Sequence, residues 1–316
     1  MNAAVSRVGV IDLGSNSLKL LVVEGPSLTL LRRATVEVRL FPAQGNLLQS
    51  QAIAQAVEAV QALAIQAGEA GARRLVVIAT SALREAPNRR EFIQQLREVT
   101  SLPLTLLSGE VEARLALDGM RTDPVIKPLQ DFVGFDLGGG SLEIGRLQAG
   151  QCVQALSLPL GAVRLSRLLP AQPNGVLRPA DLGALREHVL VALAARLPLG
   201  CARACPLVAS GGALSNLLDL QRAAGEPDNG PIMSVLTVRN WLARLSALDL
   251  EARKAVPGIA QARADILPTA LATVSALAEH TGAESLQITH HGLRHGVAQL
   301  LLSDAADLLV AAPVLS

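Results

Sequence analysis

The 316-residue chain has no tyrosine, and aromatic residues make up only 2% of it. Half of its residues are hydrophobic, so Leu, Val, Ile and Ala must fill its cores. Cysteine is equally scarce. Cys152, Cys201 and Cys205 are an odd, small set, which argues against a disulfide framework and for a reducing compartment. Cys201 and Cys205 stand at helical spacing, but no further ligands accompany them, so buried or incidental thiols are expected. An excess of one charge is missing too. A formal charge of +1 removes any general drive toward nucleic acid or an anionic membrane. The apolar stretches are broken by Arg, Gly, Pro or Gln, so none reads as a membrane span. No basic region followed by an apolar core opens the sequence, so no secretory signal is visible. The expectation is a cytoplasmic protein whose partners include neither nucleic acid nor membrane. Lysine is confined to Lys19, Lys127 and Lys254. The other basic residues are arginines, which suit bidentate phosphate contacts, although compositional bias explains the skew more simply.

What the chain does have is one glycine phrase written twice. Asp12–Lys19 reads DLGSNSLK, and Asp136–Glu143 reads DLGGGSLE. Each follows an apolar run and leads into another, which is strand, tight turn, strand. The length suggests about two domains, and the repeat suggests that they are similar.

The rest of the pattern agrees. Strands are expected at 8–12, 18–24, 27–32 and 34–40, a helix at 49–67, a strand at 75–79 and a helix start at Thr80-Ser81. Asn88 is placed to cap a helix over 89–99. A strand at 104–107 precedes a helix opened by Ser108-Gly109-Glu110. Residues 121–130, with Pro124 and Pro128, form the best linker. The pattern then restarts, with strands near 131–136, 142–147 and 151–157, helices near 161–169 and 179–197, a strand at 206–209 and a helix from 211. A polar loop at 223–233, helices at 237–247 and 264–281, a strand at 285–289 and a helix at 292–302 follow. This is an α/β pattern built twice, with expected domains at 1–122 and 123–316 and the last helix free to pack back near the hinge.

Several residues bear chemistry. Gly14 and Gly138 allow a sharp turn, Ser15, Asn16, Ser17 and Ser141 supply donors, and successive N–H groups in such turns form an anion nest. Gly139 and Gly140 extend the second nest. A single turn of this kind is as readily an ordinary hairpin; two copies with the same flanks are not. Asp136 and Glu143 flank the second nest and are hard oxygen ligands suited to Mg²⁺ or Mn²⁺ shared with phosphate, with Asp12 a further candidate. Lys19 stands where Glu143 stands, as a phosphate-facing charge or simply as a solvent-facing strand residue. Glu110 and Glu112 fall in the first turn of their helix, where dipole compensation alone accounts for acidic residues. A carboxylate there is also a suitable general base for water. Arg84 follows a strand end, where ligands sit in α/β folds. Ser210, Gly211 and Gly212 form a third turn at a helix N-terminus, a further phosphate candidate or a plain connection. His290, His291 and His295 cluster without an acidic partner and read as helix ends and surface rather than zinc.

These residues resemble the exopolyphosphatase/guanosine pentaphosphate phosphatase family over nearly the whole chain. The matching phrases are GVIDLGSNSLKLLV (9–22), ATSALREAPN (79–88), LSGEVEARLAL (107–117), VGFDLGGGSLEIG (133–145), SLPLGAVRL (157–165), SGGALSNL (210–217), RADILP (263–268) and GLRHGV (292–297). The resemblance implies two related actin-like (ribonuclease H-like) domains with an interdomain cleft, in the short two-domain form. It implies that Glu112 activates the attacking water, that Asp136 and Glu143 serve a divalent metal, and that Arg84 contacts phosphate. The implied activity is removal of the terminal phosphate from inorganic polyphosphate, with guanosine pentaphosphate as the alternative substrate. A silent phosphate-binding regulator and a kinase of the same superfold are the rivals from other classes. A homodimer is a further expectation. The chain departs from the family at Val111, where a glutamate is usual, at Ala213, where a threonine is usual, and at His295, where an acidic residue is usual.

Overall fold

The computed structural model describes residues 6–40, 45–169, 175–226 and 230–303. Two compact units emerge. One draws its described residues from Met1–Thr122 and His291–Ser316, the other from Asp123–His290.

The first unit opens with β1 (Arg7–Leu13), β2 (Ser17–Glu24) and β3 (Thr29–Glu37), an antiparallel meander. Then come α1 (Ser50–Glu69), β4 (Arg74–Ala79), α2 (Ser81–Glu85), α3 (Arg89–Thr100), β5 (Leu104–Leu106) and α4 (Gly109–Met120). The sheet order is β3-β2-β1-β4-β5, with β4 and β5 joining parallel. Period-2 alternation feeds two cores. Ile11, Leu13, Leu18 and Leu20 pack on one face with Ile53, Val60 and Phe92, whereas Val8, Val10, Leu21 and Val23 pack on the other with Leu115, Val297 and Leu301. That double burial explains the near-continuous apolar runs of β1 and β2.

The second unit repeats the opening with β6 (Phe132–Leu137), β7 (Leu142–Gln148) and β8 (Gln151–Leu158). It continues through α5 (Ala162–Ser166), α6 (Pro179–Ala194), β9 (Leu207–Ser210), α7 (Gly212–Ala223), β10 (Ile232–Ser234), α8 (Val235–Ser246), α9 (Leu250–Lys254), α10 (Leu267–Thr281) and β11 (Ser285–Ile288). Its sheet runs β8-β7-β6-β9-β11-β10. The order of the first four strands matches that of the first unit, so the two α/β sheets expected from the repeat are present. Helix α10 is buried on nearly every side, and only Ser275 and Glu279, four residues apart, reach toward solvent.

The last helix, α11 (Leu293–Leu302), belongs to the first unit and lies against α4. Glycine permits that approach: a Cβ on Gly119 would stand 1.9 Å from the Gly292 carbonyl oxygen, and one on Gly296 would stand 2.0 Å from that of Leu115.

Some local expectations need correction. The strands expected at 27–32 and 34–40 are one strand, β3, because a register shift at Val22/Val23 absorbs the irregularity without a turn. The polar stretch 223–233 contains the short edge strand β10, and residues 227–229 lie outside the described residues. The helix expected from 237 begins at Val235, since the Ser234 hydroxyl accepts from the Thr237 N–H at 3.0 Å. Helix α9, capped by Asp249, had no counterpart in the sequence pattern. Among the described residues no helix is long and apolar enough to cross a membrane.

Candidate functional site

The two glycine phrases are the turns of two equivalent hairpins. The Gly14 N–H donates to the Ser17 carbonyl at 3.2 Å, and the Gly138 N–H donates to that of Ser141 at 3.0 Å. A Cβ at Gly14 would come within 2.9 Å of the Ser17 carbonyl, so the turn is too tight for a side chain there.

In the first unit the turn is buttressed from outside the hairpin. Ser15, Asn16 and Ser17 are all buried. The Asn16 carbonyl accepts from the N–H groups of Val38 and Arg39 at 3.2 and 2.9 Å, and its Nδ2 donates to Glu37 Oε2 at 2.8 Å. Ser15 Oγ lies 3.5 Å from Ser81 Oγ, at the start of α2. One turn along that helix, Arg84 Nη1 donates both to the Leu107 carbonyl at 2.8 Å and to Glu112 Oε2 at 2.9 Å. The short helix α2 therefore links the first turn to Glu112. Arg84, expected to face phosphate, is engaged with this carboxylate.

Glu112 and Glu110 share the first turn of α4 but differ in setting. Ser108 caps the helix by accepting from the Val111 N–H at 3.3 Å. Glu110 is exposed, as dipole compensation alone would leave it. Glu112 is only 4% exposed, far more buried than that role requires. A buried carboxylate held by an arginine is a preset acceptor for a proton from water. Val111 packs at the edge of the core beneath α4, which gives that departure from the family an apolar seat.

In the second unit the turn Gly138–Ser141 is gripped by the segment after β8. The Ala162 N–H donates to the Gly138 carbonyl at 3.0 Å, and the N–H groups of Val163 and Arg164 donate to that of Gly139 at 2.9 and 3.0 Å. Arg164 Nε donates to the Gly140 carbonyl at 2.7 Å. Gly161 fits only because it lacks a Cβ, which would lie 2.4 Å from Gly139 and Gly140 backbone atoms. Neither Gly161 nor Arg164 stood out from composition or spacing; the signal was the GAVR phrase itself.

The register brings the expected carboxylates together. Asp136 pairs with Glu143 across the antiparallel ladder and with Ser210 across the parallel one; Glu143 in turn pairs with Ser157. Such partners sit side by side on one face, with Cβ atoms about 4.5–5.5 Å apart. Their sheet neighbours Phe135, Leu137, Ile144 and Ala209 face the main core on the opposite side. Ser157 Oγ donates to Glu143 Oε1 at 2.8 Å, and the Ser210 hydroxyl is buried with no protein partner. This donor set suits Mg²⁺ or Mn²⁺. Two carboxylates and an unsatisfied hydroxyl are too few for a closed protein cage, and no group of three or more His, Cys, Asp or Glu side chains that could hold a metal occurs among the described residues. Mg²⁺ takes one or two carboxylates and leaves its other positions to water and phosphate.

The third glycine turn is less open. Gly211 adopts φ +124°, and the Arg263 guanidinium lies over Gly212, 1.9 Å from where a Cβ would be. Ala213 fills part of the core. Of the histidines, His290 Nδ1 meets Ser215 Oγ at 3.2 Å. His291 meets Thr122 Oγ1 at 2.8 Å through Nδ1 and stacks on His295 with ring centroids 3.9 Å apart. His295 is 3% exposed, so the expected surface position is wrong for it; close packing of α11 on α4 buries it.

Comparison with known proteins places this geometry. The sequence pattern of the Ppx/GppA phosphatase family matches residues 11–304. An uncharacterised Streptomyces coelicolor protein is 31% identical, over 92% of this chain and 89% of its own. Exopolyphosphatase 1 of Mycobacterium leprae is 29% identical, over 95% of this chain and 91% of its own. Among solved structures, an exopolyphosphatase from Cytophaga hutchinsonii superposes with a TM-score of 0.80 at 19% identity, covering 94% of this chain and 97% of that one. The Aquifex aeolicus Ppx/GppA family member superposes at 0.75 with 21% identity, covering 93% and 96%. The likeness to these two structures is one of fold.

Proposed function

The chain belongs to the Ppx/GppA phosphatase family, and with it to the hydrolases of phosphoanhydride bonds, and on that premise we propose that it is an exopolyphosphatase, releasing orthophosphate from the end of inorganic polyphosphate. Water attacks the terminal phosphorus, Glu112 accepts its proton, and the anhydride P–O bond breaks to leave a chain shorter by one phosphate. The observation that carries this reading is the buried Glu112 carboxylate, held at one oxygen by Arg84. Arg84 fixes the carboxylate's direction, so Glu112 meets the attacking water with little reorganisation in the transition state.

The turns Gly14–Ser17 and Gly138–Ser141 bind phosphate oxygens through backbone N–H groups and hydroxyls. Asp136 and Glu143 would hold Mg²⁺, which would offset charge on the phosphate. Phosphoryl transfer needs little beyond such positioning and charge stabilisation. The similarity to Exopolyphosphatase 1 over 95% of this chain supports polyphosphate as the substrate.

Orthophosphate release from short polyphosphate, long polyphosphate and guanosine pentaphosphate, compared as kcat/KM, tests the substrate. Polyphosphate should be preferred. A higher kcat/KM for guanosine pentaphosphate would reassign it, and no release from any of the three would support a silent binding protein instead.

A further inference from the structure

We propose that Ser157 is a positioning residue for Glu143, turning that carboxylate toward a divalent cation bound beside the second phosphate turn. The inference rests on the reading of Glu143 as a metal ligand and adds a residue to it. Ser157 lies on β8, directly across the ladder from Glu143 on β7. Its hydroxyl donates to Oε1 at 2.8 Å, while Glu143 itself is only 5% exposed. An ionised carboxylate only accepts hydrogen bonds, so the serine must be the donor in this pair. One oxygen engaged in this way restrains the carboxylate plane at the position beside Asp136, its partner across the next ladder. Outer partners of this kind orient metal-ligating groups and tune affinity.

The equivalent slot in the first unit shows why the hydroxyl matters only here. There Thr35 stands opposite Lys19, exposed on an edge strand. That slot again holds a hydroxyl, but it has no carboxylate to orient.

The test titrates Mn²⁺ into the full chain with inorganic phosphate present, reading bound metal by electron paramagnetic resonance, alongside a thermal melt of each variant. Ser157→Ala should weaken Mn²⁺ binding by about tenfold, the lower end of the effect of losing such a partner, with an unchanged melting temperature. Ser157→Thr should bind within about twofold of the parent, and Ser157→Val, which has the shape of that threonine without its hydroxyl, should behave like Ser157→Ala, which isolates the hydroxyl. Glu143→Gln is the control. If Glu143→Gln loses Mn²⁺ while Ser157→Ala and Ser157→Val bind like the parent, the role of Ser157 is overturned and the ligand reading stands. If Glu143→Gln also binds like the parent, the ligand reading falls and this inference falls with it. A lowered melting temperature with unchanged metal affinity would make Ser157 a purely structural residue and overturn the proposal.

Discussion

The two hairpins share a backbone and differ in one row of side chains. Read across the sheet at the turn, the first unit places Thr35, Lys19, Asp12 and Ile78 side by side. The second places Ser157, Glu143, Asp136 and Ser210. Both turns close with the same Gly N–H to Ser C=O bond. One row is therefore a cation beside an anion, ending in a fully buried isoleucine that belongs to the core. The other is two carboxylates flanked by hydroxyls, a row whose charge calls for a cation. The backbone geometry of the turn is duplicated, while three of the four positions in the row differ; on the proposed function, those differences separate a turn that meets phosphate directly from one that meets it through a metal.

The largest test of that division removes the one group that neither hairpin supplies. Glu112→Gln should lower kcat by roughly a thousandfold, within the usual contribution of general base catalysis, with KM changed only a few-fold. Steady-state kinetics on polyphosphate measure this, and near-normal turnover would take the base role from Glu112. Next come the two unlike residues at the matching position. Glu143→Gln should cost roughly a hundredfold in kcat/KM and raise the Mg²⁺ concentration needed for half-maximal rate. Lys19→Gln should act mainly on KM, by roughly tenfold, with metal dependence unchanged. If both variants shift metal dependence equally, the two rows do the same work and the contrast between them fails.

Gly161→Ala tests the grip on the second turn, which the first turn achieves differently through Val38 and Arg39. Its methyl group would overlap the Gly139 and Gly140 backbone, so a loss of about 1–3 kcal/mol is expected, read as a lowered melting temperature together with weaker phosphate binding. The smallest effect lies on α4, the helix that carries Glu112. Burial raises the pKa of Asp118 above its ordinary value, against the lowering influence of Arg114 and Arg121. The folded state therefore resists ionising a group that the unfolded chain ionises freely, and the penalty is present at neutral pH. Asp118→Asn should raise the melting temperature by about 1–2 °C at pH 7, and the gain should vanish as the pH falls below the unfolded value of about 4. A gain that persists at pH 3 would point to packing instead of charge.

Much of this was legible along the chain because it is local. The paired hairpins follow from glycine, serine and apolar runs in immediate succession, and the cap at Ser108 follows from a residue next to the helix it begins. Asp136 and Glu143 could be paired on paper because a two-stranded turn of known length sets their register. The failures were equally physical. β3 read as two strands because the extra residue at Leu31, where the register against β2 shifts, interrupts its alternation without ending the strand, and β10 read as loop because three residues are too few to show a period. His295 read as surface because its burial depends on a helix 170 or more residues away in the chain.

Amino-acid order by itself determined the two turns, their carboxylates and the class of fold, since each depends on neighbours within one hairpin or one helix. Only the tertiary structure decided that Arg84 reaches Glu112, that Ser157 holds Glu143, that Gly161 and Arg164 clamp the second turn, and that α11 completes the first unit. Those contacts join segments far apart in sequence. Their strength comes from the closeness of packing and the alignment of donor and acceptor, and neither exists until the chain has folded.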